Sequence, residues 1–294
     1  MNYNDVCLYC YWGAGDLFNT RGIVKSLVEE YPHKRFFYAH ARNPRMFEDI
    51  RRLRYSKLIF DIMPPDKHHL KGGAGDLYIN TWIGLSSKYV DKGLGIYLKT
   101  YLDLFKFIFS EAKADLELNK EVTEYIPDIN YNSLTYFSNV DKFVKEYPER
   151  KVLISNGYVY SDQSINFPFH NIIYKLAARY RDNITFITTE ALPLETNGVY
   201  PTEYITKAQD KFDLNEISYL SLFCDTIIGR ASGPYVFTQV KENLYNPNKT
   251  FLAFTRFKNV TSLVLDLDIP AKRFWSPETE EDKVFEEIVK VIEQ

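Results

Sequence analysis

The 294-residue sequence has few cysteines, no excess of basic charge and no long apolar run, and each absence excludes a class of protein. Three cysteines are too few for the disulfide framework of a small secreted domain. A net charge of -3 supplies no broad cationic surface for nucleic acid. No apolar run reaches the roughly 18 residues that span a bilayer, although contact with a membrane surface stays open. The composition therefore favours a globular protein with a large core.

Metal and targeting signals are also scarce. The first six residues carry no basic leader, which predicts a cytoplasmic protein rather than a secreted one. Cys7 and Cys10 have the spacing of a metal-binding pair, but no second pair completes a zinc site, so we interpret both as core thiols. Asp266 and Asp268 lie late in the chain and are interpreted as the end of a strand. We therefore predict no metal and no cofactor.

Strand-like and helix-like segments alternate along the chain, which is typical of parallel sheets covered by helices. Because 294 residues exceed the usual ~100–200 per domain, we expect an α/β protein with two sheets. We place the first domain at residues 1–147, the second at 148–275 and a C-terminal helical segment at 276–294, with the polar stretch 119–147 joining the halves. Apolar runs predict strands at 6–12, 36–39, 58–62, 77–83, 152–155, 184–187, 226–228 and 251–254.

The segment Gly13-Ala-Gly-Asp16 joins the first predicted strand to a helix. In open α/β folds, ligands gather at the carboxyl ends of the strands, so we expect Asp16 to face a crevice. A carboxylate in that position can take the proton of an attacking hydroxyl. The alternative interpretation of Asp16 is an acid that caps the first turn of the helix.

The segment Gly229-Arg-Ala-Ser-Gly-Pro234 follows a strand in the second half and opens a helix. Ser232 suits the N-cap and Pro234 the first helical position, and the free amides of a helix start attract phosphate. Arg230 adds a guanidinium that can hold phosphate with two hydrogen bonds. A plain helix cap and a surface ion pair are the alternatives for this turn and for Arg230.

Together these two segments resemble the heptosyltransferase-like group of GT-B glycosyltransferases, which act in lipopolysaccharide and capsule assembly. The segments that carry the resemblance are Gly15-Asp16, Tyr31-Pro32, residues 76–84 and Gly229-Arg-Ala-Ser-Gly233. The chain departs from the group's pattern at Ala231, where an acidic residue is expected, and at Val236, where a histidine is expected.

The resemblance implies two Rossmann-like domains facing a cleft, with the C-terminal helix packing back on the first. It implies metal-independent transfer of a sugar, with inversion, from a nucleotide-sugar donor on the second domain to a glycan acceptor on the first. Asp16 would be the catalytic base. The remaining predicted site residues are Arg230, Ser232, Gly233, Ser161 and Gln163 for the donor phosphates, Thr189 and Glu190 for the nucleoside, and Asn19, His40, Arg42, Asn80 and Trp82 for the acceptor.

Two other classes of function stay open. A dinucleotide-dependent oxidoreductase would use Gly13-Ala-Gly15 as its pyrophosphate turn, but Phe18 replaces the third glycine of that fingerprint. A glycan- or nucleotide-binding protein without catalytic activity fits the departures at Ala231 and Val236.

Overall fold

The computed structural model describes residues 3–73, 75–85, 97–160, 164–181, 183–208, 210–258, 263–264 and 266–294. The chain forms two compact units. Unit 1 comprises Met1–Asn130 and Ser262–Leu267, and unit 2 comprises Tyr131–Thr261 and Asp268–Gln294. Within the described ranges, each unit is built on one sheet, of five strands in unit 1 and six in unit 2. The two mainly parallel sheets confirm the predicted α/β class.

Unit 1 has the sheet order β3-β2-β1-β5-β4, in which only β4 runs antiparallel to its neighbour. Its strands are β1 (Asp5–Cys10), β2 (Arg35–His40), β3 (Leu53–Ser56), β4 (His69–Lys71) and β5 (Asp76–Asn80). Its helices are α1 (Ala14–Asn19), α2 (Arg21–Glu30) and α3 (Leu98–Ala112), with 3-10 turns at Pro44–Phe47, Ile83–Leu85 and Val122–Tyr125. Strand β1 is almost continuously apolar and buried, as a central strand with both faces covered must be.

The predicted strand at 58–62 is wrong. The strand beside β2 is instead β3, whose residues Leu53–Ser56 pair in parallel register with residues 36–39. The apolar segment that follows forms a turn, in which the amides of Ile62 and Met63 both donate to the Ile59 carbonyl. Ile59 and Ile62 lie largely exposed in that turn, while Met63 is buried.

Unit 2 has an entirely parallel sheet with the order β11-β10-β9-β6-β7-β8. Its strands are β6 (Arg150–Ser155), β7 (Ile184–Thr188), β8 (Val199–Pro201), β9 (Thr226–Arg230), β10 (Thr250–Phe254) and β11 (Lys272–Ser276). Its helices are α4 (Ser138–Glu146), α5 (Phe169–Arg179), α6 (Thr202–Thr206), α7 (Leu214–Ser221), α8 (Gly233–Phe237), α9 (Lys241–Leu244) and α10 (Glu281–Ile292), and a 3-10 turn covers Tyr131–Ser133.

The boundary between the units lies after Asn130, earlier than the expected boundary after residue 147. Helix α4 belongs to unit 2 because the residues around it pack there: the Phe137 ring stacks on Tyr219 with centroids 4.4 Å apart. Tyr131 also shares a 2.8 Å hydrogen bond with Ser218. The polar composition of this segment therefore marked a connection that ends before α4 begins.

Helix α10 is part of the core of unit 2, where a return to the first domain was expected. Its buried residues Val284, Ile288, Val291 and Ile292 follow helical spacing and join the cluster formed by β6, β9, β10 and α5. The side of α10 toward α5 also carries the Lys175–Asp282 ion pair at 2.7 Å.

Four further findings concern the described part of the chain. Cys7, Cys10 and Cys224 are free and buried, as expected for core thiols. Within the ranges given above, no helix is both long and apolar enough to cross a membrane, and no cluster of three or more His, Cys, Asp or Glu side chains is arranged to hold a metal ion. The short stretch 262–267 contributes to unit 1 through Leu263, whose carbonyl accepts a 2.7 Å hydrogen bond from the first amide of α3, that of Leu98.

Candidate active site

The carboxyl ends of β1 and β5 form the first part of the candidate site. Strand β1 lies between β2 and β5. The next strands along the chain, β2 and β3, lie on one side of β1, and the later strands β4 and β5 lie on its other side. Open α/β sheets bind ligands at such a switch point, outside the carboxyl ends of the strands. Trp12 follows β1 there, Trp82 follows β5, and α1 brings Asp16 to the same end of the sheet.

Asp16 is the third residue of α1 and is half-buried. Its Oδ2 accepts a 3.1 Å hydrogen bond from the Gly13 amide, so the carboxylate closes the first turn of the helix. Burial raises the pKa of Asp16 above its ordinary value, while the Gly13 amide and the positive charge of Arg42 act in the opposite direction. Asn19, three residues further along α1, lies on the same face of the helix.

Two stacked indole rings stand beside this loop. The Trp12 and Trp82 rings lie 4.3 Å apart between centroids, with 28° between their planes, and Trp12 is 47% exposed. Gly84 makes room for this arrangement, because a β-carbon there would lie 2.4 Å from Cζ2 of Trp82. Exposed aromatic faces bind the apolar faces of ring-shaped ligands. Trp12 was not among the predicted site residues; its position just after β1 was the available signal.

Asn80 and His40 serve the interior of unit 1, which corrects their predicted contact with a ligand. Asn80 is buried; its Oδ1 accepts the Trp82 amide hydrogen at 3.1 Å and its Nδ2 donates to the Pro65 carbonyl at 3.2 Å. His40 is also buried, and its Nδ1 accepts the amide hydrogen of Arg42 at 3.2 Å. Burial lowers the pKa of His40 to about 4, so the ring is neutral at physiological pH.

Arg42 remains on the exposed rim of unit 1. Its Nε donates to the Trp12 carbonyl at 3.3 Å, which ties the guanidinium to the backbone of Trp12. Its positive charge lowers the pKa of Asp16 against the larger effect of burial. Arg42 therefore stands where a polar group of a ligand on the indole face would meet a cation.

The switch point of unit 2 lies between β6 and β9. Ser155 ends β6, and Gly229 of β9 approaches it so closely that a β-carbon at Gly229 would lie 2.5 Å from Cβ of Ser155. Ser232, at the N-cap of α8, shares a 3.1 Å hydrogen bond with the Ser155 hydroxyl. Gly233 then begins the helix. Two hydroxyls and the first amides of a short helix thus meet at this edge, which is chemistry that suits phosphate oxygens.

Arg230 does not face this edge, which corrects its predicted contact with phosphate. The side chain is 3% exposed and its guanidinium lies 4.8 Å from the centroid of the Phe167 ring. One terminal nitrogen donates to the carbonyls of Asn156 at 2.7 Å and Gly157 at 2.9 Å, and the other donates to the Phe167 carbonyl. Burial lowers the pKa of Arg230 to about 10, which still leaves it protonated at neutral pH. Arg230 therefore holds the two ends of the loop after β6 together.

Asn156 joins the loops that follow β6 and β7. Its Oδ1 accepts the Glu190 amide hydrogen at 2.9 Å and the Thr189 hydroxyl hydrogen at 3.3 Å, and its Nδ2 donates to the Glu190 carbonyl at 3.0 Å. Glu190 is exposed, and Gly157 gives its carboxylate room, since a β-carbon at Gly157 would lie 2.8 Å from Oε1. The predicted nucleoside residues therefore lie beside the predicted phosphate turn. Ser161 and Gln163, also predicted to contact phosphate, lie outside the described residues.

Comparison with solved structures agrees with this architecture. A glycosyl transferase of family 9 from Veillonella parvula aligns over 100% of this chain and 97% of its own, at 11% identity and a TM-score of 0.50. ADP-heptose lipopolysaccharide heptosyltransferase II of E. coli aligns over 99% of both chains at 12% identity and a TM-score of 0.50. E. coli heptosyltransferase WaaC with ADP aligns over 98% of both chains at 10% identity and a TM-score of 0.51.

These likenesses concern the fold. No family model matches the sequence, and no curated protein matches it. The two Rossmann-like sheets define the fold class of the GT-B glycosyltransferases. Within that class, the chain is similar over nearly its whole length to heptosyltransferases.

Proposed function

We propose that this protein is a glycosyltransferase that moves a sugar from a nucleoside-diphosphate donor to a hydroxyl of a glycan acceptor, in polysaccharide biosynthesis. Unit 2 binds the donor and unit 1 binds the acceptor. The observation that carries the proposal is the half-buried Asp16 carboxylate, with its raised pKa, at the switch point of a GT-B-type unit.

Asp16 is the general base in this proposal. A sugar hydroxyl is a weak nucleophile, and a carboxylate that removes its proton as the new bond forms typically contributes ~10²–10⁴ in rate. The raised pKa supports the role, because a stronger base takes the proton more readily. Attack on the face of the sugar opposite the leaving group gives inversion at the anomeric carbon.

The donor diphosphate is assigned to the edge formed by Ser155, Ser232 and Gly233. Hydroxyls and helix-start amides stabilise the negative charge that grows on the leaving group without the need for a metal ion. Glu190, exposed beside this edge, suits hydrogen bonds to the ribose hydroxyls. Arg230 contributes indirectly by fixing the loop that carries Asn156.

The acceptor is assigned to the exposed rim of unit 1. A sugar ring stacks on the indole pair of Trp12 and Trp82, with Arg42 and Asn19 available for its hydroxyls. The apolar face of a pyranose fits such a platform, and polar groups at the rim fix its orientation.

A nucleotide-binding protein without transfer activity is the second candidate function. It is favoured by the internal use of Arg230, which leaves the diphosphate edge without the expected cation. Hydrolysis of nucleotide sugars separates the two candidates, since a transferase releases sugar slowly to water and a binding protein does not.

The nucleotide part of the proposal is tested by thermal shift with UDP, GDP, ADP and CMP, each in the presence of EDTA. We expect one of them to raise the melting temperature, because a ligand at ~100 times its dissociation constant adds ~2.7 kcal/mol to the free energy of unfolding. A shift that requires Mg²⁺ or Mn²⁺ would contradict metal-independent binding. No shift with any of them, either in EDTA or in a parallel series with added Mg²⁺ or Mn²⁺, would contradict a nucleotide donor.

The catalytic part is tested with Asp16→Asn once the donor is known. We expect at least a ~10²-fold loss of transfer with nearly unchanged nucleotide affinity. Asp103→Asn, at an exposed position of α3, is the matched control and should transfer at the normal rate. Normal transfer by Asp16→Asn would refute the base assignment.

A further inference from the structure

The loop after β6, residues 156–167, is closed at its base by a single side chain. Arg230 donates to the carbonyls of Asn156 and Gly157 at one end and to that of Phe167 at the other. Both ends of the loop are therefore held together, as in the compact surface loops that often carry function. We call this segment the tyrosine loop; residues 161–163 within it lie outside the described residues.

The first half of the tyrosine loop has a fixed backbone. The Val159 amide donates to Oδ1 of Asn166 at 2.9 Å, and Nδ2 of Asn166 donates to the Val159 carbonyl at 2.8 Å. Val159 itself is buried. Nearby, the Ser164 hydroxyl donates to the Phe254 carbonyl at 2.9 Å, which ties the loop to the end of β10.

Two tyrosines on either side of Val159 point into solvent. Tyr158 is 60% exposed and Tyr160 is 96% exposed, although the residue between them is anchored. Their rings meet edge to face, with centroids 5.0 Å apart and 62° between the planes. Two hydrogen bonds within the loop, together with those from Arg230 and to Phe254, thus hold a backbone that carries two exposed aromatic rings.

We infer that Tyr158 and Tyr160 form a stacking platform for the sugar ring of the nucleotide-sugar donor. The inference rests on the proposed function and deepens it, because it assigns residues to the sugar half of the donor. Tyr158 lies three residues after Ser155, so its Cα is within ~10 Å of the edge to which the diphosphate is assigned. The sugar is joined directly to that diphosphate.

The chemistry of the platform fits a sugar better than a purely apolar partner. A pyranose has an apolar face of C–H groups and a rim of hydroxyls, and a tyrosine offers an apolar ring with a polar end. Because hydrogen bonds already hold the backbone of the loop, less conformational entropy is lost when a ligand binds. Neither tyrosine was among the predicted site residues, since exposed aromatic residues after a strand do not reveal from sequence how firmly their loop is held.

The experiment compares the affinity of the stabilising nucleoside diphosphate with that of its nucleotide sugars, by calorimetry. Wild type should prefer at least one nucleotide sugar over the free diphosphate. In the double variant Tyr158→Ala and Tyr160→Ala, we expect that preference to fall at least fivefold, with the affinity for the free diphosphate changed less than twofold. Tyr158→Phe and Tyr160→Phe keep the rings and should keep most of the preference.

Tyr204→Ala is the matched control, because Tyr204 is an exposed tyrosine of α6 in the same unit. An equal loss of affinity for diphosphate and nucleotide sugar would indicate nucleobase stacking or a distorted loop and overturn the inference. An unchanged preference in the double variant, or no preference in wild type, would also overturn it. Binding of no nucleoside diphosphate by wild type would instead remove the proposed function itself.

Discussion

The structure and the proposed reaction make different demands on the Asp16 carboxylate. Its Oδ2 accepts the Gly13 amide hydrogen and closes the first turn of α1, while the proposed reaction needs a carboxylate oxygen to receive a proton. Burial raises the pKa of Asp16, which makes it a better base. The same burial makes the ionised carboxylate unfavourable in the folded protein. In the proposed mechanism, the basicity of Asp16 is therefore gained at the expense of stability.

We expect Asp16→Asn to raise the melting temperature at about pH 7. Because the pKa of Asp16 is raised in the folded state, the folded protein binds the proton more tightly than the unfolded chain does. That stabilisation is complete below the ordinary value of 3.8 and is lost as the pH rises through the folded pKa. The neutral amide avoids this loss and can still accept the Gly13 amide hydrogen.

Melting temperatures measured from about pH 4 to pH 8 check this expectation. The advantage of Asp16→Asn over wild type should shrink toward the acid end. A variant that melts below wild type at neutral pH would mean that the charged hydrogen bond to Gly13 outweighs the burial of the carboxylate.

The variant Arg230→Met distinguishes two roles of Arg230: holding the loop after β6 and binding phosphate. The methionine can fill the space against Phe167, but three carbonyls lose a charged donor, so the free energy of unfolding should fall by ~3–5 kcal/mol. Arg179→Met, at a half-exposed ion pair with Glu293, should lower the free energy of unfolding much less, because solvent screens that pair. Urea unfolding measures both. Normal stability with a large loss of nucleotide affinity would instead restore Arg230 as a phosphate ligand.

Single residues also show which parts of the site the sequence predicts. Glu190 lies two residues after β7, and Asp16 lies in the first turn of the helix that follows β1. These positions in the sequence suffice to predict that both residues lie at a sheet edge. Whether a side chain faces solvent depends on partners far along the chain: Arg230 donates to Phe167, which lies 63 residues earlier. No local pattern signals such a partner. His40 was misassigned for the same reason, because its aromatic neighbours come from separate segments.

At the scale of elements, the strands that the sequence missed are all edge strands. Both outer strands of unit 1, β3 and β4, and both outer strands of unit 2, β8 and β11, were not predicted. The inner strands are covered on both sides and require continuous apolar runs, which are easy to find. An edge strand such as Leu53-Arg-Tyr-Ser56 needs no such run and often carries charge.

The apolar turn at 59–62 provides a test of this difference. Phe60 is 66% exposed, so Phe60→Ser should change the free energy of unfolding by less than ~0.5 kcal/mol. Met63, buried one residue after the turn, should lose ~2–4 kcal/mol on replacement by serine. Urea denaturation compares the two. A large loss for Phe60→Ser would show that this turn packs as the strand predicted from its apolar pattern.

Gly84 controls the geometry of the indole pair. We expect Gly84→Ala to displace the Trp82 ring, because the added β-carbon would overlap Cζ2, and the near-ultraviolet circular dichroism of the stacked indoles should weaken. The acceptor KM should rise while nucleotide affinity stays unchanged. Gly73→Ala is the matched control, since a β-carbon there has no neighbour within 4 Å among the atoms of the described residues. An unchanged spectrum for Gly84→Ala would mean that the ring has room to shift while remaining stacked.

At the scale of the whole molecule, α10 determines the integrity of unit 2. Ile288 is fully buried in the cluster that includes Val152 and Ile228, so Ile288→Ala should lower the free energy of unfolding of unit 2 by ~2–5 kcal/mol. Hydrogen exchange should show the loss of protection in β6 and β9. Glu286→Ala, on the exposed side of the same helix, should leave protection unchanged. Equal protection in both variants would mean that α10 contributes little to this core.

The hydrogen bond from Leu98 to Leu263 has a consequence for how the protein is made. Unit 1 includes residues that the ribosome adds only after most of unit 2 has been synthesised. Domains generally fold one after another during translation, the N-terminal one first. Here the Leu98 amide, the first of α3, cannot form its hydrogen bond until Leu263 has been synthesised. The nascent chain therefore cannot complete its first unit before its second is largely outside the ribosome, and a gene fragment that ends at Asn130 would encode an unfinished unit.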